Sequence, residues 1–320
     1  MTRMQGLIQD FAKAELHVHL EGSVEPATLA ELDPSLTAAA VQALYCYSNF
    51  LGFLTSYEKV VRRLSKPDDF ALITRRLLDR LHAENVLYAE INLSVGVMLW
   101  RKQDVAPIFD AVNDEARRSP VEVRWIFDAV RQFAIADARR VAELAAERTG
   151  EGVVGFGLGG DEARGPVESF AAVLNWAREH GLHLAPHAGE STGPESIWAS
   201  LRLGAERIGH GIRAAGDPAL MRYLRDHDVP LEISISSNVA TGVVASLDAH
   251  PVRRLFDAGV PIVLNTDDPA MFHTTLPREY SLAREHFGFS EQELRLLAGN
   301  GFRYAFTDAG KRLAPPRDIA

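Results

Sequence analysis

An alternation limits what this chain can become more than any other feature. Short β-favouring runs recur eight times, separated by longer stretches whose apolar residues fall at helical spacing. The runs begin near Glu15 (ELHVHL), Leu87 (LYAEINL), Glu122 (EVRWIFDA), Val153 (VVGFGL), Leu182 (LHLAPH), Arg207 (RIGH), Leu231 (LEISIS) and Pro261 (PIVLNT). Helices are readable from AIADARRVAELAAER and from PVESFAAVLNWAREHG, which stops at Gly181 as a helix C′ position would. Eight strand–helix units close a parallel sheet on itself. The pattern therefore predicts an α/β fold, a (β/α)8 TIM-type barrel, with all 320 residues in one domain.

The first crossover departs from the pattern. Between residues 23 and 86 the chain spends over sixty residues where about a dozen make a simple return. Extra helices are expected there, and loops after strands lie on the C-terminal face of such a barrel. The insertion, around SNFLGFLTSYEKVVRRL, is thus expected to form a helical lid over the barrel mouth, with Phe50, Phe53 and Leu54 as candidate contacts or ordinary packing residues.

Charge and cysteine content narrow the chemistry. Thirty-four basic against 43 acidic residues give a net charge of −9, which disfavours nucleic acid as a partner. A single cysteine, Cys46, excludes a disulfide framework and cysteine-paired zinc sites, so a metal must use histidine and carboxylate. No run of eighteen apolar residues is present and the opening MTRMQGLIQDF lacks a leader-length apolar stretch, so a cytoplasmic protein with no membrane partner is expected.

Strand 1 carries His17 and His19, whose i, i+2 spacing turns both imidazoles toward the same side. Strand 5 ends in PHAGES, with His187 and Glu190; there Thr192 and Glu195 resemble a capping box, which leaves Glu190 unaccounted for. Strand 6 ends in GHG, where His210 is either a ligand-facing residue or a loop histidine. Strand 8 ends in NTDDPAMF, where Asp268 before Pro269 can be read as a helix N-cap, an account that does not extend to Asp267. Taken singly each has a bland reading. Together all seven fall at predicted C-terminal strand ends, where barrel active sites are built, whereas His82, His180, His227, His250 and His286 scatter and are left as surface or packing residues. His17, His19, His187 and Asp267 form a ligand set suited to one Zn2+, which lowers the pKa of bound water toward ~7.

With those residues in place the chain resembles the adenosine deaminase family of metal-dependent barrel hydrolases, from AELHVHLEGS through HAGE, RIGHG, SNV and LNTDDP. The resemblance implies zinc on His17, His19, His187 and Asp267, and a small adenine nucleoside as substrate. It also implies that Glu190 protonates purine N1, that His210 orients the attacking oxygen and takes its proton, and that Asp268 contacts N7. Gly160, in GLGGDE, matches the backbone donor to N3, and His19 and Glu21 count among the substrate-binding positions. Adenosine-specific members usually carry aspartate where this chain has Glu21, and ISISSNV lacks the usual CP before its TSNV-like end, so the 5′ side of the pocket is expected to differ. GVMLW, FDAVRQF and SSNVATGVV look most like the branch acting on 6-amino-6-deoxyfutalosine, an intermediate of menaquinone biosynthesis with a 5′-side carboxyphenyl group. Arg62, Arg63, Arg101 and Arg131 are candidate partners for that carboxylate. Adenosine, free adenine, a non-catalytic metal-binding barrel and hydrolysis of an ester or amide are the competing readings; adenine deaminases usually read RIDHG where Gly209 stands here.

Overall fold

A computed structural model describes residues 8–315; residues 1–7 of the opening segment and 316–320 of the tail lie outside it. All of the strands pair in parallel, and they run in chain order: β1 (Lys13–His19), β2 (Val86–Leu93), β3 (Glu122–Val130), β4 (Val153–Gly159) and β5 (His183–Leu184), then β6 (His187–Ala188), β7 (Ile208–His210), β8 (Leu231–Ile233) and β9 (Ile262–Leu264). β5 and β6 are halves of one strand position. Pro186 stands between them without an N–H, and only its carbonyl joins the ladder, accepting from Gly209 at 3.0 Å. Eight strand positions thus form the barrel, with strand ends within two residues of the expected ones at the start of every run. Helices fill the returns, including Ile135–Glu147 and Ala171–Glu179, the latter terminated by Gly181 at φ +82°.

The barrel closes between β9 and β1, and the closure is made largely by side chains. The backbone ladder of β9 ends at Leu264; Asn265 then offers its Oδ1 to the Leu16 amide at 2.9 Å, and Glu15 accepts from the Thr266 amide at 2.9 Å and its hydroxyl at 3.2 Å. Asp267 restores backbone pairing, donating to the His17 carbonyl at 2.9 Å and accepting from the His19 amide at 2.8 Å. All of these groups are buried, so each bond satisfies an atom that water cannot reach.

The long first crossover holds four helices: α1 (Pro26–Leu32), α2 (Ala38–Ala43), α3 (Phe50–Val61) and α4 (Pro67–Ala83). Their ends are written locally, with proline in the first turn of α1 and α4, Thr37 capping α2 and Asn49 capping α3 through the Gly52 amide at 2.8 Å. α3 is held over the C-terminal end of the barrel by Phe53, which packs on Phe272 at 4.9 Å and Tyr47 at 5.5 Å between ring centres. Among the described residues no helix is long and apolar enough to cross a membrane.

Asn265→Ala removes the acceptor of a buried amide in the closing seam. A loss of about 1–3 kcal/mol is expected, read as a lower urea midpoint.

Candidate active site

The four strand-end residues read as metal ligands converge. One ligand atom each from His17, His19, His187 and Asp267 lies within 4.8 Å of the others, and all four residues are buried. His17 Nε2 and His19 Nε2 approach Asp267 Oδ1 at 3.4 and 3.3 Å, and His19 Nε2 faces His187 Nε2 at 3.3 Å. His17 Nε2 has no hydrogen-bond partner. Several lone pairs aimed at one point repel one another unless a cation lies between them, so the donor set fits a single divalent ion. Asp267 and His210 both sit at left-handed φ, +64° and +60°, conformations that non-glycine residues adopt at some cost where the surroundings impose them.

A second layer fixes these groups. His17 Nδ1 meets Glu232 Oε2 at 2.6 Å, so Nε2 is the nitrogen left for a metal. Glu232 in turn accepts from Arg207 Nε at 2.6 Å, and Arg207 donates to Glu90 at 2.5 Å and to the Tyr304 carbonyl at 2.9 Å. Burial alone would raise the Glu232 carboxyl, but Arg207 and His17 outweigh it and hold it below its ordinary value. Ser237 donates to Asp267 Oδ2 at 2.7 Å. Asn238 lies 3.1 Å from His210 Nδ1 and also 3.1 Å from His250 Nε2.

The acids divide by environment. Burial, then the charge of Asp267, pushes Glu190 and Asp268 well above the usual carboxyl range, whereas Asp267 is held well below it by the imidazoles around it. Glu190 Oε2 lies 3.7 Å from His210 Nε2. Glu162 behaves oppositely: it accepts from the amides of Gly189, Glu190 and Ser191 and from the hydroxyls of Thr192 and Ser196. Those bonds outweigh its burial and hold it down to about 2, so an ionised carboxylate shapes the loop that presents Glu190. The expected Thr192–Glu195 capping box is therefore absent; Thr192 serves Glu162, and Gly193 precedes the helix Pro194–Arg202. Nor does Asp268 cap a helix, since the next one starts at Leu276 behind Thr275. Its carboxyl fits against Gly22, where an added Cβ would stand 1.7 Å from Oδ1.

A cavity of about 520 Å3 opens over this cluster, with His19, His187, Glu190, His210, Asp267, Asp268 and Gly160 in its wall. Gly160 holds φ +94°. The outer wall is apolar and comes mostly from α3 (Phe50, Leu51, Phe53, Leu54, Val61) with Val97, Trp100 and Phe133, the last two stacked at 5.3 Å. Glu21 is buried but does not line this cavity; one of its oxygens accepts from the Ser94 amide at 3.0 Å. None of the four arginines singled out in the sequence lines it either. Arg62 pairs with Glu58, Arg63 with Asp33, Arg101 donates to carbonyls of the α3 end, and Arg131 holds the carbonyls of Gly165 and His187. The arginine in the wall is Arg164.

Sequence reasoning missed Glu232, Glu162, Asp128 and the Asn238–His250 pair. Asp128, in the cavity wall at the end of β3, is pushed up to about 7 by burial. An isolated charged residue within an apolar run, as in LEISIS or IFDAV, was the available signal.

Comparison with known proteins agrees with this geometry. The family model described as adenosine deaminase matches residues 12–315. Aminodeoxyfutalosine deaminase of Streptomyces coelicolor is 37% identical over 96% of this chain and 83% of its own length. Adenine deaminase of Rhizobium johnstonii is 35% identical, covering 94% of this chain and 97% of its own. The crystal structure of an adenine deaminase from Arthrobacter aurescens superposes with a TM-score of 0.89 at 27% identity, over 96% of this chain and 97% of that one.

Glu232→Gln weakens the support of His17 and leaves Arg207 with less countercharge. Metal affinity is expected to fall 10- to 100-fold by competition with a chelator, with stability reduced by up to about 3–5 kcal/mol in urea unfolding.

Proposed function

The chain belongs to the adenosine deaminase family, and from that premise we propose that it hydrolyses the 6-amino group of an adenine nucleoside, with 6-amino-6-deoxyfutalosine favoured. The carrying observation is the convergence of three imidazoles and one carboxylate beneath a cavity whose wall also holds His210 and two carboxyl groups, Glu190 and Asp268, that burial pushes well above the usual range. In this reading His17, His19, His187 and Asp267 hold one zinc ion, which supplies the Lewis acidity that makes water a nucleophile near neutral pH. Glu190 delivers a proton to N1, which makes C6 electrophilic. His210 faces the attacking water, Asp268 hydrogen-bonds N7 and the Gly160 amide reaches N3, together fixing the ring for attack. Water adds at C6, the C6–N6 bond breaks, and ammonia leaves with the 6-oxopurine as product.

The apolar outer wall supports a nucleoside with an apolar 5′ arm. A base alone would leave that wall wet, whereas an aromatic group covers it, and Arg164 is the arginine of the wall that a terminal carboxylate could pair with. α3 then serves as the lid, and 5′ recognition falls to it rather than to Glu21. Free adenine is the second reading, favoured by the adenine deaminase relatives. A small substrate and a charge of −9 fit a cytoplasmic enzyme without nucleic-acid or membrane partners.

Ultraviolet assays of aminodeoxyfutalosine, adenosine and adenine are expected to rank in that order by kcat/KM; equal turnover of all three defeats the specificity reading. Glu190→Gln is expected to keep one zinc per chain while lowering kcat at least 100-fold, and His17→Ala to lower zinc content measured by atomic emission.

A further inference from the structure

Behind His210 lies a hydrogen-bond chain whose polarity is determined at its far end. The Val252 backbone amide can only donate, and it points at His250 Nδ1 at 3.2 Å. That nitrogen therefore carries the lone pair, and the ring proton of His250 sits on Nε2. Nε2–H faces Asn238 across 3.1 Å, so the amide oxygen of Asn238 accepts there. Its NH2 is then turned to His210 Nδ1, also at 3.1 Å. The opposite amide orientation would require a lone pair on both nitrogens of His250, which a neutral imidazole does not have. All three residues are buried, so water does not compete for these bonds.

We propose that Asn238 and His250 are positioning residues that fix His210 as the Nε2–H tautomer, so that it works in the cavity as a hydrogen-bond donor. Nδ1 accepts from Asn238, so the ring is neutral and its single proton faces the site. The carboxylates ahead of it, Glu190 at 3.7 Å and Asp267 at 3.8 Å, stand beyond hydrogen-bond distance and leave that donor for a ligand oxygen. On the reading that His210 faces the attacking water, it orients that oxygen by donating to it. It cannot take the water's proton in this tautomer, contrary to what the family resemblance implies; the proton passes to Glu190, which is ionised once it has given its own proton to N1 and lies 3.7 Å from His210 Nε2. His250, which the sequence leaves among the packing residues, thereby acts on the reacting centre from two side chains away.

The test is the 15N NMR of ring-labelled histidine in the zinc-loaded enzyme, with His210 assigned by loss of its signals in His210→Gln. A lone-pair-type shift at Nδ1 and a protonated-type shift at Nε2 are expected; the reverse overturns the proposal, whatever the substrate proves to be. Asn238→Asp presents acceptors to both imidazoles and should move the His210 proton to Nδ1, with kcat falling about 10- to 100-fold, KM little changed and one zinc retained. His250→Leu should show a similar fall, and His250→Gln, whose amide can donate the same bond, should recover most of it. Unchanged kcat in both Asn238→Asp and His250→Leu overturns the positioning role. If no purine is turned over by the wild type, the functional reading fails while the tautomer is still decided by the NMR.

Discussion

Glu232 is the side chain on which the rest of the centre depends. It lies on β8 with both oxygens engaged, one by Arg207 and one by His17, and nearly no surface exposed. Desolvating three charges inside a barrel is costly, and apolar residues of similar size would often give a more stable core. The ionic arrangement does something apolar packing cannot. It ties β2, through Glu90, to Arg207 at the entry to β7 and to β8, and ends on one imidazole nitrogen of β1, which settles which nitrogen of His17 faces the other ligand atoms.

Fold and site also share the seam between β9 and β1. The residues that finish closing the barrel are the ones that deliver Asp267 to the histidines, and the backbone bonds of Asp267 to His17 and His19 place it between its neighbours. The left-handed backbone at Asp267 is tolerated because those two bonds and the Ser237 contact fix it from several sides.

Much of this was legible in the sequence because it is periodic or clustered at strand ends. Alternating strands and helices specify the barrel, and a pair such as His17 and His19 reports its shared face through spacing alone. The helical insertion was legible as excess length, although which of its side chains meet the cavity depends on how α3 leans on Phe272 and Tyr47. What stayed hidden has no local signature. Glu162 reads as a loop acid, and only the fold bends Gly189, Glu190 and Ser191 so that their amides converge on it. His250 sits in an unremarkable DAHPVRR segment, and its link to His210 exists only through Asn238. Arg164, in the cavity wall, carries no such signature either, because distance along the chain says nothing about which loop rims a barrel.

The two kinds of acid at the centre follow from one electrostatic rule. A carboxylate taken out of water stays ionised only where donors or cations replace its hydration, and otherwise it keeps its proton. Glu162 has amides and hydroxyls, Glu232 has Arg207, and Asp267 has imidazoles; each is held low. Glu190 and Asp268 face the cavity with like charge as their neighbour, and both are driven high. A dication would add two positive charges against the single negative charge of Asp267, so the site can accommodate one more ionised group but not all of its acids. Glu190 and Asp268, the two driven upward, are the carboxyl groups disposed to keep a proton there, and a carboxyl that keeps its proton can donate a hydrogen bond as well as accept one.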